Sequence, residues 1–96
     1  MTPNASLVEA VTFKAHPGAG AKTGLIGMAT LRLAGAVLIE GVAVRRTREG
    51  RVYLSFPSRE MRTGERRHVV RPVDAAARKR VEEDVIAQLR ARGVLP

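Results

Sequence analysis

The 96-residue sequence contains no cysteine and no tryptophan, and its only aromatic side chains are Phe13, Tyr53 and Phe56. Disulfide bonds and thiolate metal sites are therefore excluded, and the composition fits a reducing compartment. The core has to be built from Val, Leu, Ile, Ala and Met. Stacking of nucleic-acid bases on exposed rings has a single candidate, Tyr53, whose place in an expected strand favours the core or an interface instead.

Long apolar runs are also missing. The longest, from Leu33 to Val44, is interrupted by Glu40 and is too short to cross a bilayer. The first 25 residues lack the basic start and the continuous apolar stretch of a secretory signal. We therefore expect a cytoplasmic protein that does not associate with membranes.

Residues typical of catalytic, metal or phosphate sites are few. Gly18 to Gly24 is similar to a phosphate-binding loop, but alanine precedes Lys22 and a strand is expected to follow. His16 and His68 do not have metal-ligand spacing, and the acidic run 82–84 is typical of a solvated helix face. No nucleophile has an obvious base. We expect no enzyme activity, no cofactor, no metal and no small-molecule substrate.

The excess of positive charge is confined to one part of the sequence. The net charge is +8, and 14 of the 17 basic residues are arginines. From Arg45 to Arg80 there are 12 basic and four acidic residues, whereas the rest of the chain holds five of each. An arginine-rich patch is typical of a surface that binds a polyanion, because guanidinium makes forked contacts with phosphate. Charge alone leaves open that the patch only keeps the surface hydrated.

The pattern of apolar residues predicts one α+β domain over residues 1–96, with frayed ends at 1–6 and 93–96. Period-two alternation predicts a single antiparallel sheet of four to five strands. Their expected bounds are 7–14, 25–33, 37–46, 51–56 and, for a short fifth strand, 67–73. Gly41 inside the third strand predicts a bulge. Residues 58–66 are expected to form a polar loop.

One C-terminal helix is expected to cover a face of this sheet. Asp74 suits the N-cap, the following residues are strong helix formers, and Gly93 suits the end. Apolar residues recur every fourth position and predict a buried stripe. The stripe consists of Ala77, Val81, Val85 and Leu89, with Ala76 and Ile86 beside it.

Two groups of cations adjoin in the sequence, one in the expected polar loop and one in the first helical turns. Consecutive helical residues lie about 100° apart, so the helical group cannot lie on one line. Arg59, Arg62, Arg66 and Arg78 could share a face. The predicted nucleic-acid-binding residues are Arg59, Arg62, Arg66, Arg78, Lys79 and Arg80.

In its order of motifs this region resembles the SpoVG (stage V sporulation protein G, septation regulator) family. The resemblance rests on Phe56-Pro57-Ser58-Arg59, followed by Gly64, Pro72 and Arg78, and covers roughly residues 7–89. It implies a small bacterial regulator that binds DNA and RNA through the basic loop and the helix, and that is dimeric through its sheet. The sequence departs from the family pattern at Glu60, where a second basic residue is usual.

Two functions remain in competition. The first is a DNA- or RNA-binding regulator, connected with sporulation or septation as the family name implies, that contacts mainly phosphates and works as a homodimer. The small core and the open sheet edges also favour pairing of subunits. The alternative is a protein-interaction module whose basic patch docks an acidic protein partner without binding nucleic acid. Arginines that flank a loop and a helix start favour the first.

Overall fold

The computed structural model describes residues 7–17 and 24–96. The described elements are β1 (Val8–Ala15), β2 (Leu25–Leu33), β3 (Val37–Arg46), β4 (Val52–Ser55), β5 (Ser58–Glu60), β6 (Arg66–His68) and α1 (Ala75–Ala91). Strands β1 to β4 form one antiparallel sheet in chain order, and β5 and β6 form a separate antiparallel pair. The expected α+β fold with one C-terminal helix is confirmed. The segment 1–6 and the phosphate-loop-like residues 18–23 lie outside the described residues.

The prediction for residues 58–73 is wrong in its details. The expected fifth strand shortens to Arg66–His68, and it pairs with Ser58–Glu60 inside the expected polar loop rather than with the main sheet. The remainder of the expected strand contains Pro72, which cannot donate a ladder hydrogen bond. Its flanking residues Val69 and Val73 are 64% and 88% exposed, so no apolar face draws this segment onto the sheet.

A bulge bends β3 where the sequence predicts one. Ala29 lies opposite Val42, and Leu31 lies opposite Ile39, so β3 contains one more residue than β2 between these pairs. Gly41 has φ 76°, a left-handed conformation that residues with a Cβ rarely adopt. The predicted bulge at Gly41 is confirmed, and it keeps Ile39 and Val42 facing the same side of the sheet.

The connection between β2 and β3 has three residues, Ala34 to Ala36, and the first two are left-handed. Ala34 has φ 53° and Gly35 has φ 64°, and the turn closes with a hydrogen bond from the N–H of Ala36 to the carbonyl of Leu33, 3.0 Å. Two left-handed residues match the twist of a hairpin. An alanine in this conformation costs about 1–2 kcal/mol, because its Cβ approaches the following carbonyl.

The core lies between the sheet and α1. Val42 and Leu54 are fully buried on the strands, and Val85 and Leu89 are fully buried on the helix. The predicted stripe is confirmed at its three later positions, while Ala77 in the first turn is half-buried. The buried cluster consists of Val8, Val11, Ala29, Leu31, Val42, Val44, Leu54, Phe56, Val81, Val85, Leu89 and Leu95.

Helix side chains also bind the backbone of β4, one of the two edge strands. The N–H of Leu54 donates to the carboxylate of Glu82, 3.0 Å, and its carbonyl accepts from the guanidinium of Arg78, 2.6 Å. Arg78 and Glu82 form an ion pair at 3.3 Å, one turn apart. The pair therefore satisfies two backbone groups that an edge strand otherwise presents to a second strand.

The other edge strand, β1, is bound in the same way. The N–H of Val8 donates to the carboxylate of Asp84, 3.1 Å, and its carbonyl accepts from the amide of Gln88, 2.7 Å. Arg92 donates to the carbonyl of Val11. Two members of the acidic run 82–84 thus bind backbone amides, so the interpretation of that run as a solvated face is wrong for Glu82 and Asp84.

Both helix ends are fixed. Asp74 is the N-cap as expected, and its carboxylate accepts from the N–H of Ala77, 2.8 Å. At the other end Gly93 has φ 76°, and the N–H of Val94 returns to the carbonyl of Leu89, 2.9 Å, which is a Schellman motif. Residues 93–96 are not frayed as expected, because Leu95 is 4% exposed and packs into the core.

Candidate nucleic-acid interface

Strands β5 and β6 form a hairpin within the basic part of the chain. Its ladder runs from Pro57 opposite Val69 to Met61 opposite Glu65, closed by backbone hydrogen bonds of 2.9 and 2.7 Å at its ends. The tip turns at Gly64, which has φ 86° and donates to the carbonyl of Met61, 2.9 Å. We name residues 58–68 the basic ribbon. It carries Arg59, Arg62, Arg66 and Arg67.

The basic ribbon stands apart from the rest of the fold. Neither of its strands comes within 8 Å, Cα to Cα, of another described strand or of the helix. Ser58 and Met61 are half-buried, and its other residues are exposed. A two-stranded hairpin without a buried face is at best marginally stable by itself. The ribbon therefore adds little to the core, and its arginines are open to solvent.

The strand register distributes the arginines over both faces of the ribbon. Arg59 lies directly opposite Arg67, whereas Arg66 lies opposite Glu60. Neighbouring residues of a strand point to opposite faces, so Arg59 and Arg67 share one face and Arg66 lies on the other. The expectation that Arg59 and Arg66 share a face is wrong. Arg62 lies in the turn at the tip and is exposed.

Arg67 is a candidate that sequence reasoning missed. Like charges directly opposite in a sheet repel, so the Arg59–Arg67 pair weakens the hairpin unless an anion binds between them. The ion pair between Arg67 and Glu65, 3.3 Å long, joins side chains that are 67% and 59% exposed. Such exposed pairs contribute about 0–1 kcal/mol to stability. A phosphate group can therefore displace Glu65 from Arg67. Only the cross-strand register reveals this residue.

The helical candidates divide into two kinds. Arg78 binds the carbonyl of Leu54 and the carboxylate of Glu82, although its side chain is still 44% exposed. Lys79 and Arg80 are exposed, and they project in different directions because consecutive helical residues are about 100° apart. Arg78 therefore has a structural role that the sequence did not predict. Lys79 and Arg80 are more accessible to a ligand than Arg78.

The N-terminus of α1 offers little to an anionic ligand. The N–H of Ala77 is already bound by Asp74, whose negative charge also occupies the position that an anionic ligand would take. A phosphate at the helix start would have to displace or avoid this carboxylate. The ribbon is therefore the stronger part of the predicted surface.

A cavity of about 260 Å³ connects the base of the ribbon with the helix start. His68 of the ribbon and Arg78 of the helix both line it, together with Arg71 from the intervening segment. Arg71 and His68 were not among the predicted site residues. Their position shows that the base of the ribbon and the helix start, which adjoin in the sequence, also adjoin in the fold.

The side of the main sheet that faces away from α1 forms a second surface, which we name the outer sheet face. Tyr53 lies on it, half-buried and directly opposite Arg45. Met28 is 40% exposed and Leu38 is 63% exposed there. Tyr53 is therefore not part of the core, and its place in an interface stays a prediction.

Within residues 7–17 and 24–96, no three His, Asp or Glu side chains are grouped so that they could hold a metal ion. No helix in that part of the chain combines the length and apolar character needed to span a membrane. His16 is exposed after the end of β1, and His68 is exposed on β6.

Comparison with known proteins shows the family of this chain. No curated protein matched the sequence. The family model SpoVG matches residues 9–91, which include all of α1 and the basic ribbon and all but the first residue of β1. Membership supports a role as a small regulatory protein. The match covers nearly the whole chain, and the chain belongs to the SpoVG family.

Proposed function

We propose that this protein is a non-enzymatic regulator that binds DNA or RNA, with the basic ribbon as its main contact surface and the exposed cations Lys79 and Arg80 as secondary contacts. Phosphates supply most of the binding energy. Arg59, Arg62, Arg66 and Arg67 reach them from the ribbon, and Arg78 contributes its exposed part. Affinity is then electrostatic and falls steeply with salt.

The observation that carries this proposal is the cross-strand pair of Arg59 and Arg67 on a ribbon without a core. Folding alone gives no reason to place two guanidinium groups opposite each other on an isolated hairpin. An approaching phosphate removes their repulsion and can accept hydrogen bonds from both. The same arrangement supports a nucleic acid better than an acidic protein, because phosphates are evenly spaced along a backbone.

A salt titration of binding tests the proposal. We expect the affinity for a 20-base-pair duplex to fall with a log–log slope of about −0.9 per phosphate neutralised. Arg59→Ala should make that slope less negative by about 1, and it should weaken binding to all sequences alike. Arg90→Ala is the matched control, because it removes an arginine about 18 Å further along the helix than Arg78. Its Nε donates to the exposed carbonyl of Pro96, 3.1 Å.

Arg78→Ala is a poorer probe than Arg59→Ala, because it also removes a contact that holds β4. Binding that is unchanged in Arg59→Ala and Arg67→Ala at every salt concentration would contradict the assignment of the ribbon. If DNA and RNA do not bind even at low salt while an acidic protein does, the proposed nucleic-acid binding is wrong. The alternative, a module that docks an acidic protein partner, then takes its place.

We also propose that the protein is a homodimer that pairs through the outer sheet face. Helix side chains already occupy the edge backbone groups of Val8 and Leu54, so edge-to-edge pairing is blocked at those positions. Met28 and Leu38 offer apolar area on the outer face. Light scattering at micromolar concentration should give twice the chain mass, and Leu38→Glu should lower it. A concentration-independent monomer mass would contradict this.

A further inference from the structure

The two-sided distribution of charge on the basic ribbon limits how it can meet a nucleic acid. A hairpin that lies flat on a phosphate backbone needs cations on one face only. Here Arg59 and Arg67 occupy one face, Arg66 occupies the other, and Arg62 lies at the tip. A groove presents phosphates on both of its walls. Cations on both faces and at the tip therefore fit an element that enters a groove.

The dimensions of the ribbon select which groove. Two paired strands lie about 4.8 Å apart, and the five residue pairs from Pro57–Val69 to Met61–Glu65 span about 14 Å. The major groove of B-form DNA, about 12 Å wide and 8.5 Å deep, admits a two-stranded ribbon. The minor groove, about 6 Å wide, admits strands only where the duplex is bent and the groove widened. The major groove of A-form RNA is too narrow for side chains to read.

The two glutamates of the ribbon fit the same placement. Glu60 lies on the face of Arg66, and Glu65 shares the face of Arg59 and Arg67. Next to phosphates these carboxylates would be repelled. The glutamates belong to the two residue pairs nearest the tip, Glu60–Arg66 and Met61–Glu65. A ribbon that enters the major groove tip first carries them to its floor, where they meet N–H donors on the bases, namely the amino groups of cytosine and adenine. Arginine and glutamate side by side thus suit base edges better than a backbone alone.

From these three observations we propose that the basic ribbon inserts into the major groove of duplex DNA, so that B-form DNA is the preferred ligand. Arg59 and Arg67 face one wall and Arg66 the other, with Arg62 at the floor. The inference rests on the proposed nucleic-acid binding and adds the form of the ligand. It also adds a contribution from base edges to the phosphate contacts.

Three 20-base-pair ligands at one salt concentration test the form of the ligand. They are unmodified DNA, the same DNA with glucosylated 5-hydroxymethylcytosine, which fills the major groove without changing the phosphates, and the equivalent RNA duplex. We expect at least tenfold weaker binding to the second and third. Equal affinity for all three overturns the groove placement and leaves nucleic-acid binding intact. Absence of binding to any of them at low salt overturns both.

Variants on the two faces give an independent test on unmodified DNA. Arg59→Ala and Arg66→Ala should each weaken binding several-fold, since each removes contacts to one wall, and Arg90→Ala should not. A loss confined to one of the two variants shows that the ribbon lies flat and overturns the proposal. Both side chains are exposed, so circular dichroism should show a native fold in each variant, and Arg59→Lys and Arg66→Lys serve as milder replacements.

Discussion

Two ion pairs of equal length have different roles in this molecule. Arg78 and Glu82 on the helix, and Arg67 and Glu65 on the ribbon, both lie 3.3 Å apart. The Glu82 side chain is 12% exposed and binds a strand backbone, whereas the Glu65 side chain is 59% exposed. Charge on the helix therefore fastens elements together, while charge on the ribbon faces solvent. Residue type and pair geometry alone do not distinguish the two uses.

The largest contrast between the helix–sheet body and the ribbon should come from apolar truncations. Leu89→Ala removes a fully buried side chain from the core and should lower the free energy of unfolding by about 2–5 kcal/mol. Val73→Ala, next to the ribbon base and 88% exposed, should change it by less than about 0.5 kcal/mol. Urea denaturation with linear extrapolation measures both. Similar losses would show that the exposed segment is buried in an assembly.

Removing one glutamate from each ion pair compares the two directly. Glu82→Ala leaves the N–H of Leu54 without its acceptor and should cost about 1–3 kcal/mol. Glu65→Ala should cost less than about 1 kcal/mol, because its pair is exposed. Glu82→Gln keeps an acceptor and should recover part of the loss. Equal costs in urea titrations would mean that backbone binding adds nothing to the pair on the helix.

A smaller, opposite effect is expected at the turn between β2 and β3. Ala34→Asn places Asn-Gly in a turn that requires two left-handed residues, and it should raise the free energy of unfolding by about 0.5–1 kcal/mol. The thermal unfolding midpoint should rise with it. A decrease would show that Ala34 makes a contact worth more than its backbone strain.

The smallest effect on stability should come from the ribbon itself. The double variant Arg59→Ala/Arg67→Ala removes a like-charge pair from an exposed hairpin, so the free energy of unfolding should change by no more than about 0.5 kcal/mol. Nucleic-acid binding should be weakened in the same sample. A loss of stability above 1 kcal/mol would place the ribbon within the cooperative unit of the body.

The sequence predicted the body well because burial leaves a pattern. Strands β1 to β4 have one face on the core, and α1 repeats an apolar residue every fourth position, so each has a period that can be recognised. The bulge at Gly41 and the N-cap at Asp74 follow from local chemistry, and both are confirmed. The packing of Leu95 depends on the Schellman turn at Gly93, which the helix pattern alone does not determine.

The ribbon and the helix contacts could not be predicted in the same way. A hairpin without a buried face has no alternation of apolar and polar residues, so the sequence of residues 58–66 indicated a polar loop. The opposition of Arg59 and Arg67 depends on register, which the turn at Gly64 sets. Likewise, Arg78 could be recognised as structural only once an edge strand was known to pass beside it.

The contacts of α1 with β1 affect the order in which the chain folds during synthesis. Val8 is bound by residues 76 and 80 positions later in the chain. During synthesis β1 can pair with β2 early, but its outer edge stays open until Asp84 and Gln88 have left the ribosome. Contacts of such long sequence separation slow folding. A nascent or truncated chain that ends after the ribbon exposes both sheet edges, and we expect it to aggregate by strand addition.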